Sequence, residues 1–236
     1  MAAARARHAI GDTLLLVEHP PVITVGRGGG WQDVLAPAAI LSREGIDLLP
    51  TDRGGRATYH GPGQLVAYPI FRIPDQDLHN YLWRLEETAI RALAAYGLQA
   101  GRSEEHPGVW LAGKKIAAIG LAVRQGVTRH GLALNVAPNL SHFDLLVPCG
   151  IPGRGVTSMA RELGRAVDVT AVSREFVAAM GQVFHRRMVR ADPSGLPRAM
   201  GAAGGQPAWL WRRVSPAAEA AVAGMEELLH GLGLHT

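Results

Sequence analysis

Thr51-Asp-Arg-Gly-Gly-Arg-Ala-Thr-Tyr-His-Gly-Pro-Gly-Gln-Leu-Val-Ala-Tyr68 is the stretch from which the rest of the chain can be read. It holds four glycines beside two arginines, two threonines, two tyrosines, a histidine and a glutamine. Glycine buries no side chain and loses the most backbone freedom on ordering, so such a segment adds little to a core. It offers instead backbone that can approach a ligand closely, with N–H groups and polar side chains converging on it. A plain surface turn asks for Gly, Pro, Asn and Asp, not for this density of Arg, His and Gln.

Upstream, residues 13–18 and 21–25 read as strands separated by His19-Pro20. The glycine run from Gly26 to Gly30 lacks the spacing of a dinucleotide fingerprint, because Trp31 stands where the last glycine should fall. Residues 37–44 form a short helical candidate, and 45–49 return to an extended pattern. Downstream, 64–72 alternate as a strand, with Leu65 and Ala67 on one face and Val66 and Tyr68 on the other. Residues 77–96 carry an apolar stripe at helical spacing (Leu82, Leu85, Ala89, Ile90, Leu93), with Asp77 as N-cap and Gly97 as the residue just past the end. Strands are expected at 109–111, 116–123 and 131–136, and a second amphipathic helix at 173–188. Residues 191–207 have no periodicity and read as a linker. Ser215-Pro216 then opens a last helix to about Leu229. This pattern gives an α+β fold with one domain over 1–190 and a linker with a helical extension over 191–236.

The chain of 236 residues is 47% hydrophobic and 19% charged, the balance of a soluble globular protein. No apolar run reaches the length of a membrane span, and no apolar segment follows the basic N-terminus as in a secretory signal. One cysteine excludes an internal disulfide and fits a reducing compartment, so a cytoplasmic location is expected. The formal charge of +4 suits an acidic partner. Its positive residues are scattered rather than interleaved with aromatics, which disfavours nucleic acid. Lys114 and Lys115 are the only lysines among 24 Lys and Arg residues. In an arginine-rich chain a lysine marks a place that can use an amine able to lose its proton.

Three familiar chemistries fail on spacing. Gly108-Val-Trp-Leu-Ala-Gly113-Lys114 follows the phosphate-binding loop until Lys115 replaces the magnesium-binding hydroxyl, and its flanks read strand–turn–strand. Ten histidines invite a metal reading, but His130 and His142 are not at helical or hairpin ligand spacing and no acidic or thiol cluster accompanies them, so no metal or cofactor is expected. No Gly-x-Ser-x-Gly elbow surrounds a serine. A lone cysteine is ordinarily a small buried hydrophobe, but Cys149 lies in a Pro148-Cys149-Gly150 turn that would present its side chain. A thiol there needs a base or cation nearby, because a free thiol near pKa 8.5 is only a few per cent ionised at neutral pH. His60, His130, His142 and the two lysines are the candidates.

Four segments in order carry a resemblance: Arg53-Gly-Gly-Arg-Ala-Thr-Tyr-His-Gly-Pro-Gly-Gln64, Lys115-Ile-Ala-Ala-Ile-Gly120, His130-Gly-Leu-Ala-Leu-Asn135 and Pro148-Cys-Gly-Ile151. With Glu18-His-Pro-Pro-Val22 ahead of them, they resemble octanoyltransferases of the LipB family over about residues 13–188. The resemblance implies the fold of the biotin and lipoate protein ligases, a single domain with a mixed sheet. It also implies passage of an octanoyl group from octanoyl-acyl carrier protein to a thioester on Cys149. The acyl group would then form an amide with a lysine on lipoyl domains of 2-oxoacid dehydrogenases or on the glycine cleavage H protein. Lys115 corresponds to the lysine that lowers the thiol pKa. The acyl-binding positions correspond to Arg53, Gly54, Gly55, Arg56, Ala57, Thr58, Tyr59 and His60, to Ala118, Ile119 and Gly120, and to Gly131, Leu132 and Ala133.

The residues are consistent with that chemistry. Thioester exchange is nearly isoenergetic and thioester to amide runs downhill, so no ATP and no phosphate loop are required. The small residues Gly54, Gly55, Gly120, Gly131 and Ala133 are expected to leave room for an acyl chain. Two departures from the family stand out: a short lead before Thr13, expected to leave a sheet edge uncovered, and a long tail after Ala191. The rival enzyme is an ATP-dependent lipoate or biotin ligase on the same fold, which needs no cysteine; Cys149 separates the two. A non-catalytic acyl- or carrier-protein-binding module would have no use for Cys149 and Lys115 together.

Overall fold

The computed structural model describes residues 1–73, 77–147 and 155–191, and the backbone of Trp209–Arg213. The glycine-rich stretch runs into β5 (Gln64–Ile70), a central strand of an eight-stranded sheet. On one side of β5 lie β9 (Val127–Asn135), β8 (Lys114–Arg124), β7 (Val109–Leu111) and β6 (Gly101–Arg102), in that order. On the other lie β1 (Thr13–Val17), β11 (Trp209–Arg213) and β10 (Met188–Ala191). Every pairing in this sheet is antiparallel. A second sheet orders β3 (Asp47–Pro50), β2 (Val22–Val25) and β4 (Ala57–His60), with β2 parallel to β3 and antiparallel to β4. The expected mixed character therefore resides in the small sheet.

Alternation along β5 decides where the core and the site lie. Leu65 and Ala67, with Leu14 and Leu16 of β1 and Leu134 of β9, are buried on one face. Two helices cover that face, α3 (Leu78–Ala94) through Leu85 and Leu93, and α5 (Val169–Val183) through Phe176 and Met180. Each fully buried Leu or Phe contributes about 1.5–3 kcal/mol, so this face holds the fold together. Val66 and Tyr68 point the other way, and there the sheet is left open for a cavity.

The helix ends follow their capping residues. Asp77 accepts a bond from the Asn80 N–H at 2.9 Å, and Gly97 takes the left-handed conformation after α3, as expected. The second helix differs from expectation in starting at Val169 rather than 173 and ending at Val183 rather than 188. Asp168 caps it through Thr170 and Ala171, and His185, in the left-handed region, turns the chain so that Met188 enters β10. The sheet edge expected to be uncovered is paired, since β11 lies along β1 from Thr13 to Leu16. Most of the linker and the helix expected at 215–229 lie outside the described residues. Among the described residues no helix is long and apolar enough to cross a membrane.

Candidate functional site

A cavity of about 580 Å³ opens between the two sheets. Its lining includes Arg53, Gly54, Gly55, Arg56, Ala57, Thr58 and His60 from the glycine-rich stretch, Ala118, Ile119 and Gly120 from β8, and Gly131, Leu132 and Ala133 from β9. Three segments far apart in sequence thus meet around one space, because β8 and β9 pair with Gly120 opposite Gly131. Tyr59 is the exception among the expected positions. Thr58 and His60 face the cavity, so strand alternation sends Tyr59 to the opposite face. There it is 1% exposed and packs edge-on against His142 and Phe143 in the small core with Ile23, Leu41 and Leu146.

The roof of the cavity is laced in place. Arg53 is buried, and its Nη2 donates to the Thr24 carbonyl at 2.7 Å and to Thr24 Oγ1 at 2.8 Å. The Gly54 N–H donates to the Leu121 carbonyl at 2.7 Å. Asp52 accepts from His130 at 2.6 Å and from Arg129 at 2.5 Å; the His130 bond, with the nearby cations, holds its carboxyl below the usual range. Arg56 pairs with Asp33, whose carboxyl is likewise lowered, chiefly by that hydrogen bond. Asp33 also accepts from the Gly30 N–H at 3.1 Å, and its own carbonyl takes the Val147 N–H at 2.8 Å.

Lys115 is the second residue of β8 and is buried at 7% exposure, whereas its neighbour Lys114 is exposed; alternation separates the two lysines. The Lys115 side chain lines the cavity and lies with Nζ 4.8 Å from the centre of the Trp110 ring, within cation–π reach. Its backbone N–H donates to the Gly155 carbonyl and its carbonyl accepts from Thr157, both at 3.0 Å. Cys149 falls within 148–154, outside the described residues. The described chain leaves this segment at Val147, bonded to Asp33, and re-enters at Gly155, bonded to Lys115.

A polar relay leads to the cavity wall at His60. Asn135 Nδ2 donates to the Thr157 carbonyl at 3.0 Å, which leaves Asn135 Oδ1 to accept from Gln64 Nε2 at 2.9 Å. Gln64 Oε1 is then the acceptor facing His60 Nδ1 at 2.7 Å, so Nδ1 carries the hydrogen and Nε2 has the lone pair. Burial pushes His60 down to about 4 against the opposing effect of the Gln64 bond. Beside it His19 Nε2 and Tyr68 Oη lie 2.7 Å apart. Burial lowers the His19 pKa and raises that of Tyr68 to about 12, so these polar groups are neutral at neutral pH. The result is an apolar cavity with neutral hydrogen-bonding groups along one wall.

His60 makes stability pH-dependent. Above its ordinary 6.5 it is neutral folded and unfolded, and its contribution is complete. As pH falls from 6.5 towards 4 the unfolded chain takes a proton that the folded one refuses. Stability should drop there by up to about 1.4 kcal/mol per pH unit. Urea titrations at pH 7, 6 and 5 should show this slope, and His60→Asn should flatten it; an unchanged slope in the variant would assign the dependence elsewhere.

Sequence reading passed over several lining residues. Tyr68 and Val66 could have been found from the strand alternation, and His19 from the His-Pro-Pro turn. Thr24, Leu82, His106 and Pro107 carry no local signal and reach the cavity through the tertiary fold. Among the described residues, no group of three or more His, Cys, Asp or Glu side chains is arranged to hold a metal ion.

Residues 1–181 match the family described as the lipoyl protein ligase A/B catalytic domain. The octanoyltransferase of Chloroflexus aurantiacus is 51% identical over 189 residues, covering 78% of this chain and 85% of that protein. The octanoyltransferase of Alkaliphilus metalliredigens is 50% identical over 184 residues, covering 77% and 84%. The bipartite lipoate protein ligase of Thermoplasma acidophilum superposes with a TM-score of 0.62 at 19% identity, covering 78% of this chain and 77% of that one. Lipoate-protein ligase A bound with ATP superposes with a TM-score of 0.63 at 20% identity, covering 78% and 79%. At that identity the two ligases speak for the fold alone, the biotin and lipoate ligase-like fold expected from the sequence. The octanoyltransferases, alike over most of both chains, speak for more: the chain belongs to the octanoyltransferase (LipB) family of the lipoyl protein ligase A/B catalytic domain and is an acyltransferase.

Proposed function

We propose that residues 1–190 form a catalytic unit that transfers an octanoyl group from octanoyl-acyl carrier protein, through a thioester on Cys149, to a lysine ε-amine. The acceptors are lipoyl domains of 2-oxoacid dehydrogenases and the glycine cleavage H protein, and the reaction is a step of lipoate biosynthesis in the cytoplasm. The observation that carries this reading is the apolar cavity walled by the glycine-rich stretch with Lys115 in its lining. The hydrogen bonds that tie Lys115 to Gly155 and Asp33 to Val147 support Cys149 as its partner, because they fasten the chain on either side of that residue.

In the first half-reaction the Cys149 thiolate attacks the thioester carbonyl of the donor, and the carrier thiolate leaves and takes up a proton. In the second, the neutral amine of the acceptor lysine attacks the acyl-enzyme carbonyl. The Cys149 thiolate leaves and takes up the proton that the amine gives up as the amide forms. Lys115 supplies a cation that favours the thiolate at both stages. The octanoyl chain lies in the cavity, where each buried methylene contributes about 0.8 kcal/mol. The excess of positive charge suits an acidic carrier protein.

Incubation with octanoyl-acyl carrier protein should add one octanoyl mass that hydroxylamine removes. Cys149→Ser should lose that labile adduct. Transfer that requires ATP and is indifferent to Cys149→Ala would overturn the reading in favour of a ligase.

A further inference from the structure

A second cavity, about 660 Å³, lies on the same open face of the large sheet. Its floor includes Leu15 and Ile70, its rim Arg124 and Arg129, and its cover the first residues of the short helix α1 (Ala2–Ala6). Two residues, Tyr68 and His130, line both this cavity and the one beside Lys115.

The strands show how the two spaces are related. On β5 the side chains of Val66, Tyr68 and Ile70 share a face, with neighbours roughly 6.8 Å apart. Val66 lines the first cavity, Ile70 the second, and Tyr68 both. On β9 the order is the same: Leu132 and Gly131 line the first, Arg129 the second, and His130 both. On β8 the first cavity includes Lys115 to Leu121 at intervals, and the second begins at Arg124. The cavities are therefore successive compartments over one sheet, divided by the rings of Tyr68 and His130. Each ring is tied from across the cleft, Tyr68 to His19 at 2.7 Å and His130 to Asp52 at 2.6 Å. His130 holds a φ of +58°, a conformation costly for a residue other than glycine, which supports a ring kept in place by its surroundings.

We propose that Tyr68 and His130 are a specificity-determining partition that limits acyl length, and that the compartment beyond them receives the methyl end of a longer chain once the partition is opened. The proposal rests on the acyl reading of the first cavity. With Lys115 at one end of the β8 lining and Tyr68 and His130 at the boundary, the reacting end of the acyl group and the limit on its tail lie at opposite ends of the same compartment.

The test measures affinity of the full chain for octanoate and tetradecanoate by isothermal titration, which needs no turnover. In Tyr68→Ala the tetradecanoate-to-octanoate ratio of dissociation constants should fall by roughly 30-fold against the wild type, the worth of two to three newly buried methylenes. Tyr68→Phe keeps the ring and should hold the ratio within about threefold of the wild type, since a loss of the hydroxyl removes no wall. His130→Gly removes the other ring and suits the left-handed backbone. It should lower the ratio as well, and it carries the test if Tyr68→Ala fails to fold. Wild-type ratios in both opened variants would overturn the partition. So would a shift in Tyr68→Phe as large as in Tyr68→Ala, because the hydrogen bond rather than the wall would then set the limit. Failure of the acyl reading looks different: the wild type would bind neither fatty acid. A chain that binds octanoate but transfers nothing leaves the partition standing and sinks only the transfer reaction.

Discussion

Lys115→Met should cut octanoyl transfer by roughly 10²- to 10⁴-fold, the range found when a positioned acid–base or charged group is removed. Methionine keeps the unbranched stem, which is buried against Trp110 and passes close to Gly108, and deletes only the charge. The second readout is chemical rather than catalytic. Cys149 is the sole cysteine, so iodoacetamide reports on one thiol. At pH 7 a thiol helped by a neighbouring ammonium is far more ionised than a free one near 8.5, while at pH 9.5 both are thiolate. Alkylation of Lys115→Met should therefore be slowed strongly at pH 7 and little at pH 9.5. Equal slowing at both would mean that Lys115 shapes access to the thiol and not its ionisation. Lys115→Arg adds a distinction: guanidinium cannot give up its proton. If it restores alkylation at pH 7 without restoring transfer, the cation tunes the thiol while the amine also moves a proton.

How much of this was legible in the sequence depends on whether a residue's task is set locally. Periodicity alone separates Leu65 and Ala67 from Val66 and Tyr68, and the structure puts the first pair in the core and the second on the cavity face. The same rule, applied through β4, would have removed Tyr59 from the acyl wall, since its neighbours Thr58 and His60 face the cavity. Asp77 and Gly97 mark the ends of α3 through their own chemistry. The start of α5 was misjudged because Asp168, the residue that caps it, lies before the apolar stripe begins. Nothing local announces that Asp33 joins the Arg56 loop to Val147, or that Trp110 lies under Lys115. Those contacts exist only after strands distant in sequence have paired.

The small residues of the cavity have a second task beside leaving space, and they give the prediction with the largest effect on stability. Gly120 and Gly131 face each other across β8 and β9, and both were expected simply to leave space for the acyl chain. A methyl group on Gly131 would lie 2.1 Å from the Ala67 carbonyl oxygen and 2.7 Å from Pro69 Cδ. The emptiness of Gly131 thus admits the backbone of β5 where its ladder with β9 lapses at Pro69, which has no N–H to give. A methyl group on Gly120 would meet Arg53 Cδ at 2.9 Å and the Gly54 carbonyl oxygen at 3.1 Å, which belong to the cavity roof. Backbone in a central sheet cannot retreat without breaking pairs, whereas the roof, where the overlap is far smaller, need shift only slightly within its hydrogen bonds. Gly131→Ala should therefore cost about 3 kcal/mol or more, at the upper end of overpacking, and lower the melting temperature by roughly 6–12 °C. Gly120→Ala should cost less than about 1 kcal/mol in stability but weaken octanoate binding roughly tenfold, by shifting the loop from Arg53 to Arg56. Thermal unfolding and fatty-acid titration on the two variants decide the matter. Equal destabilisation would mean that both glycines fasten the sheet alike, and an unchanged octanoate affinity in Gly120→Ala would mean that the roof does not position the ligand. Opposite profiles would mean that one glycine fastens the sheet and the other seats the roof, with the acyl chain lodged in the space between them.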